Sequence, residues 1–199
     1  TVGRPVTCGP AAGAIVVLHA CCHNPTGYDI TPAQWDQVIA VVKAKELTPF
    51  LDMAYQGFGY GLAEDGAVIG KFVAAGLSFF VSTSFSKSFS LYGERVGALT
   101  VVAADKDEAA RVLSQLKRLI RANYSNPPTH GGQIITTVLG SPELRALWEA
   151  ELATMRNRIK LMRAMLVERL HERVPGADFR YILAQRGLFS YSGRTKAQV

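Results

Sequence analysis

Residues 77–103 read LSFFVSTSFSKSFSLYGERVGALTVVA, and this stretch decides the fold. Its two ends, 77–81 and 96–103, are apolar runs dense enough to be buried strands. Between them, the motif Ser84-Phe85-Ser86-Lys87 is followed eight residues after the lysine by Arg95. Lys87 is therefore expected in a loop that leaves a strand, where open α/β sheets place ligands. A partly desolvated lysine amine can attack a carbonyl group, and the planar guanidinium of Arg95 suits a phosphate. Alone, this tetrapeptide is more typical of a solvated surface lysine.

A second motif, His23-Asn24-Pro25-Thr26-Gly27, follows an apolar run at 14–18 and precedes a helix start at Thr31-Pro32. A Pro-Gly turn at a strand end fixes the position of the Asn24 amide, which suits a hydrogen bond to a bound ring oxygen. The alternative is a plain strand-to-helix turn, because Asn, Pro, Thr and Gly are all turn residues.

A third motif, Asp52-Met53-Ala54-Tyr55, ends the apolar run at 48–53. A carboxylate buried there needs a cationic partner, such as a protonated ring nitrogen, since an unpaired buried charge is costly. Tyr55 can reach the same ligand with its phenol. The alternative is an Asp that caps the following turn, with a packed Tyr beside it.

The remaining pattern predicts an α/β fold with a mostly parallel sheet flanked by helices, because strand runs and helical patterns alternate. The expected strands are 14–19, 48–53, 78–83 and 97–103, and the expected helices are about 32–45, 64–75, 106–121 and, shorter, 129–139.

Together these motifs resemble the aspartate and aromatic-amino-acid aminotransferases, which are class I, fold-type I pyridoxal-phosphate enzymes. The resemblance runs along essentially the whole chain. The stretches that carry it are His23 to Gly27, Asp52-Met53-Ala54-Tyr55-Gln56-Gly57-Phe58, Ser84 to Lys87, Leu91-Tyr92-Gly93-Glu94-Arg95-Val96-Gly97, and Arg121-Ala122-Asn123-Tyr124-Ser125-Asn126-Pro127-Pro128.

The resemblance implies a pyridoxal 5'-phosphate site. Lys87, the catalytic residue, would hold the cofactor as a Schiff base and then move the substrate proton, and Asp52 would keep the pyridine nitrogen protonated. The other implied contacts are to the ring's phenolic oxygen, from Asn24 and Tyr55, and to the phosphate, from Ser84 and Arg95.

The substrate side is implied in the same way. Arg121 would bind the side-chain carboxylate of an acidic substrate across a homodimer, with Asn24 as a second substrate-binding position and Tyr92 lining the site. The implied reaction moves an amino group between an aromatic or acidic L-amino acid and a 2-oxo acid, such as 2-oxoglutarate, by a ping-pong mechanism. Two alternatives stay open: another pyridoxal-phosphate reaction on the same fold, or a catalytically incompetent fragment. Complete family members extend beyond this chain at both ends, so we expect an internal fragment.

A long helix is expected from Ser141-Pro142-Glu143 to Arg173, ahead of the breakers Pro175-Gly176. At about 45–50 Å, it is too long for the core of one small domain. It resembles the interdomain helix of the family. We therefore expect a partial cofactor-binding large domain at 1–140. Residues 141–199 would hold the interdomain helix and the start of a small α+β domain, whose sheet would begin within 178–191.

Composition excludes several other classes of protein. No run approaches the roughly 20 apolar residues of a membrane span, and no signal peptide is evident. The three cysteines, Cys8, Cys21 and Cys22, are odd in number, which favours a reducing cytoplasm over a disulfide framework.

Two kinds of binding site are also not expected. Cys21 and Cys22 would face opposite sides of a strand, so the sequence predicts no metal site. The net charge of +6 includes a cluster at Lys117, Arg118 and Arg121. That cluster lies on an amphipathic helix without interleaved aromatics, so no nucleic-acid partner is predicted. The lack of a long apolar run likewise predicts no membrane partner.

Overall fold

The computed structural model describes residues 10–198 and places one four-stranded sheet among them. Its strands, in spatial as well as chain order, are β1 (Ile15–His19), β2 (Thr48–Met53), β3 (Phe79–Ser84) and β4 (Gly97–Val102). The first three run parallel, and β4 is antiparallel to β3. This arrangement confirms the predicted α/β fold with a mostly parallel sheet.

Five α-helices accompany the sheet in the described part of the chain. They are α1 (Pro32–Ala44), α2 (Leu62–Ala74), α3 (Lys106–Asn123), α4 (Thr129–Gly140) and α5 (Pro142–Arg173). Helices α1 and α5 begin at the capping residues that the sequence predicted. The Thr31 hydroxyl accepts a hydrogen bond from the Gln34 N–H, and the Gln34 side chain accepts one from the Thr31 N–H. Ser141 caps α5 with a single bond, because its hydroxyl accepts the Leu144 N–H.

The direction of β4 follows from the connection that precedes it. Parallel neighbours need a crossover, usually a helix, whereas antiparallel neighbours do not. Residues 85–96 contain turns and no helix, and the chain re-enters the sheet beside β3, with Gly97 opposite Ser84. The loop that carries Lys87 and Arg95 therefore lies at the edge where the three parallel strands end.

The main core lies between the sheet and the helices α1 and α2. Leu51 and Phe72 are fully buried there, and Trp35 meets the Phe72 ring edge-on at 5.9 Å. A second cluster joins α5 to the strand ends, where Leu152 packs with Tyr55. The alternation of β2, which buries Leu51 and Met53, turns Asp52 away from the core.

The expectation of sheet structure within 178–191 is wrong. That segment forms a short 3-10 helix, Arg180–Ala184, and no strand is assigned to it. The reason is that its backbone is satisfied by a side chain instead of a neighbouring strand. The guanidinium of Arg163 donates to the carbonyls of Gln185, Gly187 and Phe189.

The long helix is confirmed, with 32 residues from Pro142 to Arg173. The division at 140/141 into two domains stays a prediction. No helix among residues 10–198 is both long and apolar enough to cross a membrane. Cys8 lies outside the described residues.

Candidate active site

The carboxylate of Asp52 is held from both neighbouring strands. The register places His19 opposite Asp52 on one side and Ser82 opposite it on the other. The Ser82 hydroxyl donates to Asp52 Oδ1 at 2.7 Å, and His19 Nε2 lies 3.9 Å from Oδ2. The Asp52 side chain is 36% exposed, so the carboxylate is oriented by its neighbours yet open to a ligand.

Lys87 follows β3 in a compact turn, residues 85–90, which we call the lysine turn. Ser86 and Ser88 are buried on either side of it, while Lys87 is only partly buried. Its Nζ lies 4.8 Å from the centroid of the Tyr55 ring and 5.7 Å from that of Tyr92. Aromatic faces attract an ammonium group, so both tyrosines restrict where the amine can lie.

Asn24 joins the same group from the end of β1. Its side-chain Nδ2 donates to the Tyr55 hydroxyl at 3.2 Å, and its backbone N–H points to His19 Nδ1 at 3.3 Å. The structure thus brings together the Asn24 amide, the Tyr55 phenol and the Lys87 amine, which come from three separate strand ends.

Ser84 and Arg95 flank the lysine turn. Ser84 ends β3, and its hydroxyl accepts the N–H of Ser86 at 3.3 Å. Arg95 is exposed, adopts a positive φ of 52° and donates to the carbonyl of Tyr92 at 3.0 Å. Gly97, the first residue of β4, pairs with Ser84. Arg95 is two residues before Gly97, so it lies near the end of β3 at which Ser84 is found.

Arg121 is not joined to this group. It lies in the last turn of α3, is exposed, and hydrogen bonds to the hydroxyl of Ser125 in the turn that follows. Within the part of the chain that the structure describes, no hydrogen bond or ion pair links it to Asp52 or Lys87.

His19 and Ser82 are the candidate site residues that the motifs did not single out. Both contact Asp52 through the sheet register, not through any spacing along the chain. The available signal was alternation: in β2 the residue between two buried ones faces away from the core, and its partners on adjacent strands face the same way. The His19 ring also meets the His23 ring edge-on at 4.8 Å.

The expectation that Cys21 and Cys22 face opposite sides of a strand is wrong, although we propose no metal. Cys21 and Cys22 lie beyond the end of β1, and with Cys22 at a φ of 53° both thiols lie within 4.8 Å of an Asp65 carboxylate oxygen. Asp65 is already satisfied, because it accepts the backbone N–H groups of Gly57, Gly59 and Tyr60. A hydrogen bond with Cys22, together with burial, raises the pKa of the Cys21 thiol well above its usual range.

The chain matches the model of the aminotransferase class I and II family over residues 9–199. It is 62% identical over 188 residues to an aspartate aminotransferase of Pseudomonas aeruginosa, covering 94% of this chain and 47% of that protein. It is 55% identical over 188 residues to the aromatic-amino-acid aminotransferase of Escherichia coli, with the same two shares.

Solved structures agree with the sequence relatives. One of them is the crystal structure of an aromatic-amino-acid aminotransferase from Burkholderia pseudomallei, covalently bound to pyridoxal phosphate. It superposes on this chain with a TM-score of 0.94 at 65% identity. The match covers 96% of this chain and 48% of that one. The chain thus spans about half the length of the relatives it matches. Because the family model covers nearly every residue, this chain belongs to the class I and II aminotransferases.

Proposed function

We propose that the site around Lys87 binds pyridoxal 5'-phosphate and that the intact protein is an aminotransferase. The observation that carries the proposal is the convergence of the Lys87 amine, the Tyr55 phenol and the Asn24 amide. The His19 ring lies between this group and the carboxylate of Asp52, because it contacts both the Asn24 N–H and Asp52. The names of the relatives and the pyridoxal phosphate of the Burkholderia pseudomallei structure support it.

The donor set at this sheet edge fits the chemistry of that cofactor. An aldehyde needs an amine, which is Lys87, and a pyridinium nitrogen needs an anion, which is Asp52. A phenolic oxygen needs hydrogen-bond donors, which Asn24 and Tyr55 can supply. The phosphate would be bound by the hydroxyl of Ser84 and the guanidinium of Arg95, which lie at neighbouring ends of β3 and β4. Few other small molecules call for this combination of groups.

Each side chain then has a defined task. When bound, the pyridine ring supplies an electron sink for the charge left when the amino acid loses its α-proton. Asp52, oriented by Ser82 and His19, would keep the ring nitrogen protonated. Lys87 Nζ would remove the α-proton from the substrate and return it. The hydrogen bond from Asn24 Nδ2 to the Tyr55 hydroxyl holds these two groups together, and both would bind the phenolic oxygen.

The substrates, assembly and location are also proposals. We propose an amino-group transfer between an aromatic or acidic L-amino acid and a 2-oxo acid, such as 2-oxoglutarate, by a ping-pong mechanism. The relatives are named for aspartate, tyrosine and aromatic amino acids. Arg121 is exposed and apart from the Lys87 group, which suits a role across a homodimer in a second copy's site. The proposed location is the cytoplasm.

The decisive experiment is borohydride reduction of the protein after incubation with pyridoxal phosphate, followed by peptide mass mapping. The expected result is a single reduced adduct on Lys87. The Lys87→Ala variant should lose that adduct, and the Asp52→Ala variant should retain it, because Asp52 acts on the ring nitrogen and not on the amine. A Lys117→Ala variant, altered on the exposed face of α3, is the matched control and should label like the parent. Labelling scattered over surface lysines, or none, would contradict the proposal.

A further inference from the structure

Trp148, on α5, contacts the lysine turn in two ways. Its indole Nε1–H donates to the carbonyl of Ser88 at 2.7 Å. Its ring stacks on Phe89, with the ring centroids 4.4 Å apart and the planes 20° from parallel. Ser88 and Phe89 are the first and second residues after Lys87, so one contact holds the backbone of the turn and the other holds a side chain of it.

The lysine turn is supported from within by one ring contact and two hydrogen bonds. The rings of Phe85 and Phe89 meet edge-on, with their centroids 5.6 Å apart. The internal hydrogen bonds of the turn, from the Phe89 N–H to the Phe85 carbonyl and from the Ser90 N–H to the Lys87 carbonyl, are both 3.2 Å long. The turn ends at Ser90 with a φ of 55°, a left-handed conformation that non-glycine residues hold only when their surroundings impose it. External contacts are therefore needed to keep the turn in place.

The turn also has room to move. A cavity of about 230 Å³ adjoins it, and Phe85, Ser88, Phe89 and Trp148 are among its lining residues. A densely packed interior would hold the backbone without a specific anchor, but a gap of this size does not. Without the Trp148 side chain, the turn could shift into the enlarged space.

We propose that Trp148 is a positioning residue for Lys87, acting through the Ser88 carbonyl and the Phe89 ring. The inference rests on the proposed function of Lys87 as the amine that receives the cofactor. A lysine side chain is long and flexible, so the position of its Nζ depends on a fixed backbone at one end and on the faces of Tyr55 and Tyr92 at the other. A displacement of about 1 Å at a reacting group can slow a reaction about a hundredfold.

The first test measures how fast pyridoxal phosphate, trapped with cyanoborohydride, labels Lys87 relative to the exposed Lys117 in the same sample. Trp148→Phe, which can stack but cannot donate, should lower this ratio about threefold to tenfold. Trp148→Leu, which loses both contacts, should lower it about tenfold to a hundredfold. Reductive methylation with formaldehyde needs only an accessible amine, and there the ratio should change less than about twofold in either variant.

The chain offers a matched control in its other tryptophan. Trp35 lies in the main core against Phe72, far along the chain from the lysine turn. Trp35→Phe should lower the stability of the protein and leave the Lys87 labelling ratio unchanged. If Trp35→Phe lowers the ratio as much as the Trp148 variants do, or if Trp148→Leu labels like the parent, the positioning role is refuted.

A second readout needs no cofactor and separates this proposal from the proposed function. Amide hydrogen exchange at Phe89 and Ser90 should become faster in both Trp148 variants, because their hydrogen bonds lie in the turn that Trp148 anchors. Unchanged exchange there refutes the anchoring role even if Lys87 binds pyridoxal phosphate. Faster exchange, in a protein whose Lys87 shows no preference for pyridoxal phosphate, upholds the anchor and refutes the proposed function instead.

Discussion

Replacing Arg163 is expected to be among the most destabilising single changes available in this chain. The residue is only 9% exposed. It forms no ion pair with any of the residues that the structure describes. Its guanidinium donates to the carbonyls of Gln185 at 3.0 Å, Gly187 at 2.6 Å and Phe189 at 2.6 Å. Burial lowers the pKa of the Arg163 side chain, and the nearby positive charge of Arg186 lowers it further. The three carbonyls thus provide the main compensation for a desolvated charge.

The substitution Arg163→Met keeps most of the aliphatic stem and removes all three donors. A hydrogen bond to a charged group contributes about 1.5–3 kcal/mol, and bonds from one group are not additive. We therefore expect a loss of about 3–5 kcal/mol in the free energy of unfolding, at the upper end for single substitutions. The effect should extend to residues 23–27, which we call the Asn24 turn, because the Arg186 N–H donates to the Gly27 carbonyl at 2.6 Å.

The assay is urea unfolding followed by circular dichroism, with two further variants. Arg163→Lys keeps the charge but offers its donors from a single point, so it should fall between the parent and Arg163→Met. Arg158→Met, on an exposed position of the same helix, should change the unfolding free energy by less than about 0.5 kcal/mol. If Arg163→Met unfolds within about 0.5 kcal/mol of the parent, water replaces the guanidinium adequately and the reasoning is wrong.

Two further predictions concern a pH effect and a backbone effect. A side-chain hydrogen bond from Arg180 lowers the pKa of the exposed Asp178 carboxyl from 3.8 to about 2. The stabilisation from this pair is therefore present above pH 3.8 and is lost as the pH falls toward about 2, since the unfolded chain takes up the proton first. Carboxyl NMR titration should show the midpoint of Asp178 rising toward its ordinary value in Arg180→Leu, though not all the way, because the N–H of residue 180 still donates to Asp178 Oδ1. An unmoved midpoint would contradict this cause. Separately, Gly27→Ala should destabilise the protein by about 1–3 kcal/mol in urea unfolding, because its φ is +71° and the new Cβ would lie 2.5 Å from a carbonyl oxygen. Gly76→Ala shares the positive φ of +69° but meets open space, so it should cost less, and equal losses would rule out the close contact as the cause.

The local sequence was sufficient to predict which residues meet at the candidate site, because parallel strands place their carboxyl ends at one edge. Asn24 and Lys87 each follow an apolar run, Asp52 lies at the end of one, and those positions alone predict that the three converge. The structure adds the contacts between them, through the phenol of Tyr55. It also adds His19, which could be found only from the strand register, a property that no single motif contains.

The segment 178–191 shows why the rest could not be predicted. Alternating apolar residues there are compatible with a strand, and a strand needs a neighbour that supplies hydrogen bonds. Here the donors come from the side chain of Arg163, more than 20 residues earlier on a helix whose pattern reports only its own buried face. Hydrophobic periodicity carries no information about such side-chain-to-backbone bonds. Arg121 poses a different difficulty, since the role implied for it requires a second subunit.

The long helix α5 does more than connect two parts of the chain, because three of its side chains donate to the backbone of three separate loops. Trp148 donates to the lysine turn, Arg156 to the carbonyl of Gly57 after Asp52 and Tyr55, and Arg163 to residues 185–189. These positions are eight and seven residues apart, and at 3.6 residues per turn they lie within about 80° of one another around the helix. One face of α5 therefore holds three loops in place: the lysine turn, the loop that follows Asp52, and residues 185–189, which contact the Asn24 turn. Since loops lack the regular hydrogen bonding of a sheet or helix, donors held on such a face are what make their relative positions reproducible.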